Sequence, residues 1–173
     1  MFVRVVNHDP RWERDFQEEA QRIREILGNE LINIFHIGST AVEGLKAKPI
    51  IDMMPVVNDI SRVDDYSAQF VALGYEVMGE LGIPGRRYFR KGGDNRTHQI
   101  HAFQFDNFRD IERHLAVRDY LRAHETVREE YGCLKARLAE TFPTDIDGYS
   151  DGKDSFVAAM EEAAIKWNYE MRV

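Results

Sequence analysis

The 173-residue chain carries 23 basic and 30 acidic side chains, a net charge of −7, and is 43% hydrophobic, the profile of one soluble domain that can bury a core. That balance argues against a general nucleic-acid coat, which needs a basic surface, and against a membrane span, since no apolar run is long enough. A single cysteine, Cys133, excludes an intramolecular disulfide and a cysteine-rich zinc site, and Met1-Phe2-Val3-Arg4 opens no signal peptide, so the cytoplasm is the expected compartment.

Phe2–Val6 reads as a first strand. Asp9-Pro10 follows as an N-cap with proline at the first helical position. Trp12, Phe16, Ala20, Ile23 and Leu27 then recur at helical spacing up to Gly28, a C-terminal stop. Leu31–Ile37 is β-rich and leads into Gly38-Ser39-Thr40. Ile50–Val57 is the most apolar stretch and holds one carboxylate, Asp52; Pro55 either ends this strand or marks an open side. Ser61–Leu73 reads as a helix stopped by Gly74, and Tyr75–Met78 as a short strand. Arg86–Arg90 and Thr97–Phe105 form a hairpin around Gly92-Gly93-Asp94-Asn95. Helices are expected over Phe108–Ala123, Val127–Thr141 and Lys153–Trp167, with Cys133 a small buried hydrophobe in the second. Strands mixed with helices, then a helical back half, give an α+β class, and no linker or repeat divides residues 1–173.

Two segments carry chemistry. The first is Gly38-Ser39-Thr40, which sits where a strand meets a helix start. Backbone N–H groups at such a junction attract phosphate, although Ser39 or Thr40 can equally be a plain helix cap. The second is Asp52, whose carboxylate within Ile50-Ile51-Asp52-Met53-Met54 is desolvated and needs a partner. That partner is either a metal ion or a cation such as Lys48 or an arginine. Asp52 and position 54 share a strand face, and Met54 is too soft a ligand for Mg²⁺. On the neighbouring strand Gln99, His101 and Phe103 share a face, so His101 is either a metal ligand or base, or a hydrogen-bonded core residue. His114, Arg118 and Arg122 form one helical stripe, and Lys135 lies one turn from Tyr131, a phosphate-binding lysine beside a base-stacking ring. Arg90 and Arg122 read as solvated surface charges. Neither a P-loop nor a dinucleotide-binding fingerprint is present.

The block His36-Ile37-Gly38-Ser39-Thr40-Ala41-Val42, with Gly44-Leu45 and Lys48-Pro49-Ile50-Ile51-Asp52, resembles the GrpB family of the DNA polymerase beta-like nucleotidyltransferase superfamily. Trp12, Arg96-Thr97-His98, His101, Arg118-Asp119-Tyr120-Leu121-Arg122, Tyr131 with Lys135, and Tyr149 with Lys153 extend the likeness over nearly the whole chain. A similar domain is fused to some dephospho-coenzyme A kinases. The resemblance implies a nucleotidyltransferase-like mixed sheet packed with helices. It also implies Mg²⁺ or Mn²⁺ at Asp52 and His101, and phosphates on Gly38, Ser39, Thr40, Lys48, Arg118, Tyr131, Lys135 and Lys153. Two functions follow from it: metal-dependent nucleotidyl transfer from a nucleoside triphosphate to a hydroxyl, or a catalytically degraded module that binds a nucleotide or a coenzyme A-like phosphate ligand. An interaction protein is a third reading, with no residue speaking for it. Met54 stands against the full metal site, since no second carboxylate follows Asp52.

Overall fold

Five strands pair into one mixed sheet, and their order decides which side chains meet. The computed structural model describes residues 1–172. The strands are β1 (Leu31–Ile37), β2 (Ile51–Val57), β3 (Tyr75–Val77), β4 (Arg86–Lys91) and β5 (His98–Gln104), arranged β1-β2-β5-β4-β3. β2 lies antiparallel to β1 and parallel to β5, and the expected β4–β5 hairpin pairs Arg86 with Phe103 and Lys91 with His98.

β2 is apolar because both of its faces are covered. On one face Ile51, Met53 and Val57 join a cluster with Trp12, Phe16, Ala20, Ile23 and Leu27 of α1 (Arg11–Leu27). Each large side chain fully buried there contributes about 1.5–3 kcal/mol of transfer free energy. On the other face Met54, Val56, Ile37 and Phe103 pack against Ile111 and Leu115 of a later helix, Phe108–Ala123. Pro55 stands inside the strand, opposite Ile34, rather than at its end. Its missing N–H does no harm because the ladder to β5 pairs Ile51, Asp52, Met53, Val56 and Val57 and steps over Met54 and Pro55.

The helix expected over residues 61–73 is broken into α2 (Ile60–Val63), a 3₁₀ turn and α3 (Ser67–Ala72). The back half is α4 (Phe108–Ala123), α5 (Glu125–Thr141) and α6 (Ile146–Glu170). These three clamp the segment after β1: Val42 and Leu45 are buried against Leu121, Tyr131 and Met160. No helix among the described residues is long and apolar enough to cross a membrane.

Three local expectations need correction. Phe2–Val6 is not a sheet strand; it makes one bridge, Val6 to Ala47, while Val3 is buried with Leu138 and Tyr149. Val3 and Val5 find their apolar partners at the α5–α6 corner, so the segment has no need of a sheet edge. Lys153 does not open α6, which starts seven residues earlier, capped by Asp145 accepting from the Gly148 N–H at 3.0 Å. Gly148 and Gly152 hid those first turns, because glycine is a poor helix former. At Gly152 the reason is close approach: a Cβ there would lie 2.4 Å from Leu138 of α5. Cys133 is exposed rather than buried, since α5 turns Tyr131, Lys135 and Leu138 inward instead.

Candidate functional site

The end of β1 is held rigidly before any ligand is considered. His36 stacks on Phe16 with ring centroids 4.7 Å apart, and its Nε2 meets the Thr40 hydroxyl at 3.0 Å. That hydroxyl donates to the Ile50 carbonyl at 3.1 Å, so His36 carries its proton on Nε2. Burial holds the His36 imidazole below its ordinary pKa. Thr40 lines the site described below, but its hydroxyl is committed to this brace. From α4, Arg118 donates to the His36 carbonyl and Arg122 donates twice to the Ala41 carbonyl, at 2.8 and 3.0 Å. Arg122 is therefore a tether for the turn rather than only a solvated charge. Arg90, on β4, is partly buried and paired with Glu76 rather than simply solvated.

Between these anchors the chain turns through Gly38 into a single 3₁₀ turn, Ser39–Ala41. A full helix does not begin here, so the anion-attracting dipole expected at this junction is reduced to one turn. Gly38 has φ +73°, and a Cβ on it would lie 2.8 Å from Asp52 Oδ2. Glycine is needed twice over, for the backbone and for the carboxylate beside it.

Asp52 is partnered by neither Lys48 nor an arginine. His101 Nε2 lies 3.0 Å from its Oδ1, and the Arg86 guanidinium lies 3.4 Å from His101 Nδ1. Arginine can only donate, which makes Nδ1 the acceptor and places the imidazole proton on Nε2, facing Asp52. In the amide orientation that satisfies its neighbours, Gln99 also donates to Asp52 Oδ1 at 2.9 Å and accepts from Arg96 and Tyr88. Gln99 and His101 thus share the face of Asp52, as strand alternation predicts. The roles of Arg86 and Tyr88 were not assigned from sequence, although Tyr88 pairs with His101 across the hairpin and the Arg86-x-Tyr88 spacing puts both on one face.

The fit of divalent metal follows from these contacts. Met54, at the position for a second carboxylate, is fully buried in the apolar cluster with Ile37, Val56 and Phe103. Among the described residues no group of three or more His, Cys, Asp and Glu side chains is placed to hold a metal ion. Asp52 and His101 are adjacent as expected, yet they are hydrogen-bonded to each other. A carboxylate-clamped pair of Mg²⁺ or Mn²⁺ ions does not fit this residue set.

What surrounds Asp52 is a group of lysines. A cavity of about 150 Å³ is lined by Ser39, Lys48, Asp52, Gln99, Lys135, Tyr149 and Lys153, among others. Lys135 is 2% exposed, donates to Ser39 Oγ at 2.7 Å and lies over the Tyr131 ring, 4.4 Å from its centroid. Lys153 and Lys48 both lie over Tyr149, at 5.3 and 5.0 Å. Among the described residues none of the three makes an ion pair. Burial, then repulsion from Lys153 and Lys48, holds the Lys135 ammonium well below its usual range, against the pull of Asp52. Burial and Lys153 bring Lys48 down to about 8, and burial lowers Lys153.

Tyr149, set one turn before Lys153 by the sequence, is fully buried in the fold, and its hydroxyl has no partner. Tyr131 is stacked on Phe156 and carries the Lys135 ammonium, so its ring surface is already engaged rather than free for a base. Tyr131, Arg118, Gly38 and Ser39 line a second pocket of about 220 Å³, and Ser39 is common to both. Arg118 is pinned by Asp119 as well as by the His36 carbonyl.

Against solved structures, the chain superposes on GrpB from Enterococcus faecalis with a TM-score of 0.93, at 45% identity, covering 96% of this chain and 99% of that one. It also matches Cid1 in complex with its short product ApU, with a TM-score of 0.53 at 12% identity, over 78% of this chain and 43% of that one. The second likeness shows a nucleotidyltransferase-like fold. Among sequences, YqkA of Bacillus subtilis is 45% identical over 95% of this chain and 48% of its own length, so the chain spans about half of that relative. A dephospho-CoA kinase of Mycolicibacterium paratuberculosis is 26% identical over 95% of this chain and 46% of its own length. The family described as GrpB protein matches residues 2–163, and with these likenesses the chain belongs to the GrpB family.

Proposed function

We propose that the lysine-lined cavity binds the phosphate portion of a phosphorylated small molecule, a nucleotide or a coenzyme A-like ligand, and that the chain acts as a phosphate-ligand-binding module on a nucleotidyltransferase-like fold. One observation carries this reading. Lys48, Lys135 and Lys153 line a single cavity without a paired carboxylate, and one of them is almost wholly buried. Several kcal/mol is the usual cost of burying an uncompensated ammonium, and an anion from outside would remove that cost. Ser39 adds a hydroxyl at the same wall. The dephospho-CoA kinase relative supports a coenzyme A-like ligand by its name alone.

A second reading, transfer of a nucleotidyl group from a nucleoside triphosphate to a hydroxyl, is favoured by the fold and by Asp52, whose carboxylate lines the cavity beside Ser39. In that reading Asp52, with His101 and Gln99 donating to it, would orient the acceptor hydroxyl. Calorimetric titration with ATP, dephospho-coenzyme A and unphosphorylated adenosine separates the cases. The phosphorylated ligands should bind with sub-millimolar Kd and adenosine should not. Absence of binding by either phosphorylated ligand at millimolar concentration contradicts the proposal. Steady release of pyrophosphate from ATP with Mg²⁺ or Mn²⁺ present would move the conclusion to the second reading.

A further inference from the structure

We infer that the cavity takes a terminal phosphate as a bare dianion, with Lys48, Lys135 and Lys153 supplying the neutralising charge that divalent ions would otherwise bring, so that ligand binding needs no metal and is weakened by it. The inference rests on the phosphate-binding reading and narrows its ligand to one charge state.

Charge supports it first. Three ammonium groups and one carboxylate, Asp52, face the cavity, a sum of +2 when the lysines are protonated. A phosphate monoester carries roughly −1.5 to −2 near pH 7, so the two sums cancel. A divalent ion chelated to the terminal phosphate would offset two of its negative charges and bring a cation toward the three ammonium groups. Like charges that close repel strongly in a desolvated site.

Donors support it second. The phosphate oxygens can accept from three ammonium groups and from Ser39. Tyr149, over whose ring Lys48 and Lys153 lie, is among the residues that line the cavity. Size supports it third: about 150 Å³ admits one or two phosphoryl groups but not a nucleoside with them.

The site also lacks what a metal would need. Asp52 is the one carboxylate on the cavity wall, and His101 and Gln99 already donate to it. The groups facing the lysines come from every surrounding element. They are Ser39 after β1, Asp52 on β2, Arg96 and Gln99 around β5, Tyr131 on α5, and Tyr149 and the Asp154 carboxylate beside Lys153 on α6. Burial and repulsion between the lysines lower the ammonium values of Lys135 and Lys48, and an entering dianion would raise them again.

The test is calorimetric titration of the whole chain with inorganic triphosphate, once in EDTA and once with Mg²⁺ in excess. Binding in EDTA, at least tenfold weaker with saturating Mg²⁺, is expected. Lys153→Met should lose at least tenfold in EDTA with an unchanged Tm, and Lys153→Arg should recover most of it. Binding that appears only with Mg²⁺, or is equal in both conditions, overturns the inference and leaves phosphate recognition standing. No binding in either condition overturns phosphate recognition itself. Wild-type affinity retained by Lys153→Met also overturns the inference.

Discussion

Two buried charge clusters lie in this fold, one on each face of the sheet, and they are built to opposite ends. Around Glu19 of α1 the charges close on themselves. The carboxylate is 1% exposed and accepts from Lys91 Nζ at 2.6 Å, Tyr75 OH at 2.8 Å and Arg22 Nη1 at 2.8 Å. Burial pushes Glu19 upward, but those three donors together hold it below its ordinary value. Around Lys135 the charges stay open: three lysines, two tyrosine rings and no paired carboxylate. A satisfied network specifies a fold, whereas an unsatisfied one costs stability and persists where a ligand completes it.

The largest effect is expected from breaking the closed cluster. Glu19→Ala leaves Lys91, Tyr75 and Arg22 without their shared acceptor and should cost about 3–5 kcal/mol. Chemical denaturation measures it, and phosphate affinity in the folded fraction should stay as in wild type. Gly38→Ala comes next. It forces alanine to φ +73° with its Cβ 2.8 Å from Asp52, a strain of about 1–3 kcal/mol. It should also displace Ser39 and weaken anion binding, which separates it from Glu19→Ala.

The smallest effect is in pH. Lys48 titrates at about 8 in the fold against an ordinary 10.5, through burial and Lys153, with Arg96 adding and Asp52 opposing. Between those values the unfolded chain holds more protons than the folded one, so ligand-free stability should rise with pH through this window. Anion affinity should fall over the same range as the ammonium is lost. Lys48→Met should flatten both trends relative to wild type. A closed cluster such as that of Glu19 acts on the acid side instead: its stability is lost as pH falls through the folded carboxylate value.

Much of this was legible in the residues, and the parts that were not share a cause. The stripe Trp12, Phe16, Ala20, Ile23 and Leu27 is buried as its spacing implies, and the β4–β5 hairpin forms around its glycine-rich turn. The lysines expected to touch phosphate do converge, because Tyr131-x-x-x-Lys135 and Tyr149-x-x-x-Lys153 each lay an ammonium over the ring one turn earlier. Spacing sets Glu19 on the buried stripe of α1, three residues after Phe16 and four before Ile23, but could not show what satisfies it, since Tyr75 and Lys91 come from β3 and β4 far along the chain. Nor could it show that His101, rather than Lys48 or an arginine, holds Asp52, because that depends on β5 pairing in parallel with β2. Long-range pairing decides which charges are satisfied, and local patterns do not carry it.

The contrast between the two clusters is tested most directly by Lys135→Met, with Tm and inorganic triphosphate affinity measured on the same preparation. Replacing a buried, unpaired ammonium with an apolar chain of similar length should leave Tm unchanged or higher. Triphosphate affinity should fall at least tenfold, through loss of one ammonium and of the bond to Ser39. A Tm lowered by several degrees with affinity intact would mean that Lys135 is a structural charge like Glu19, and would contradict the assignment of the cavity.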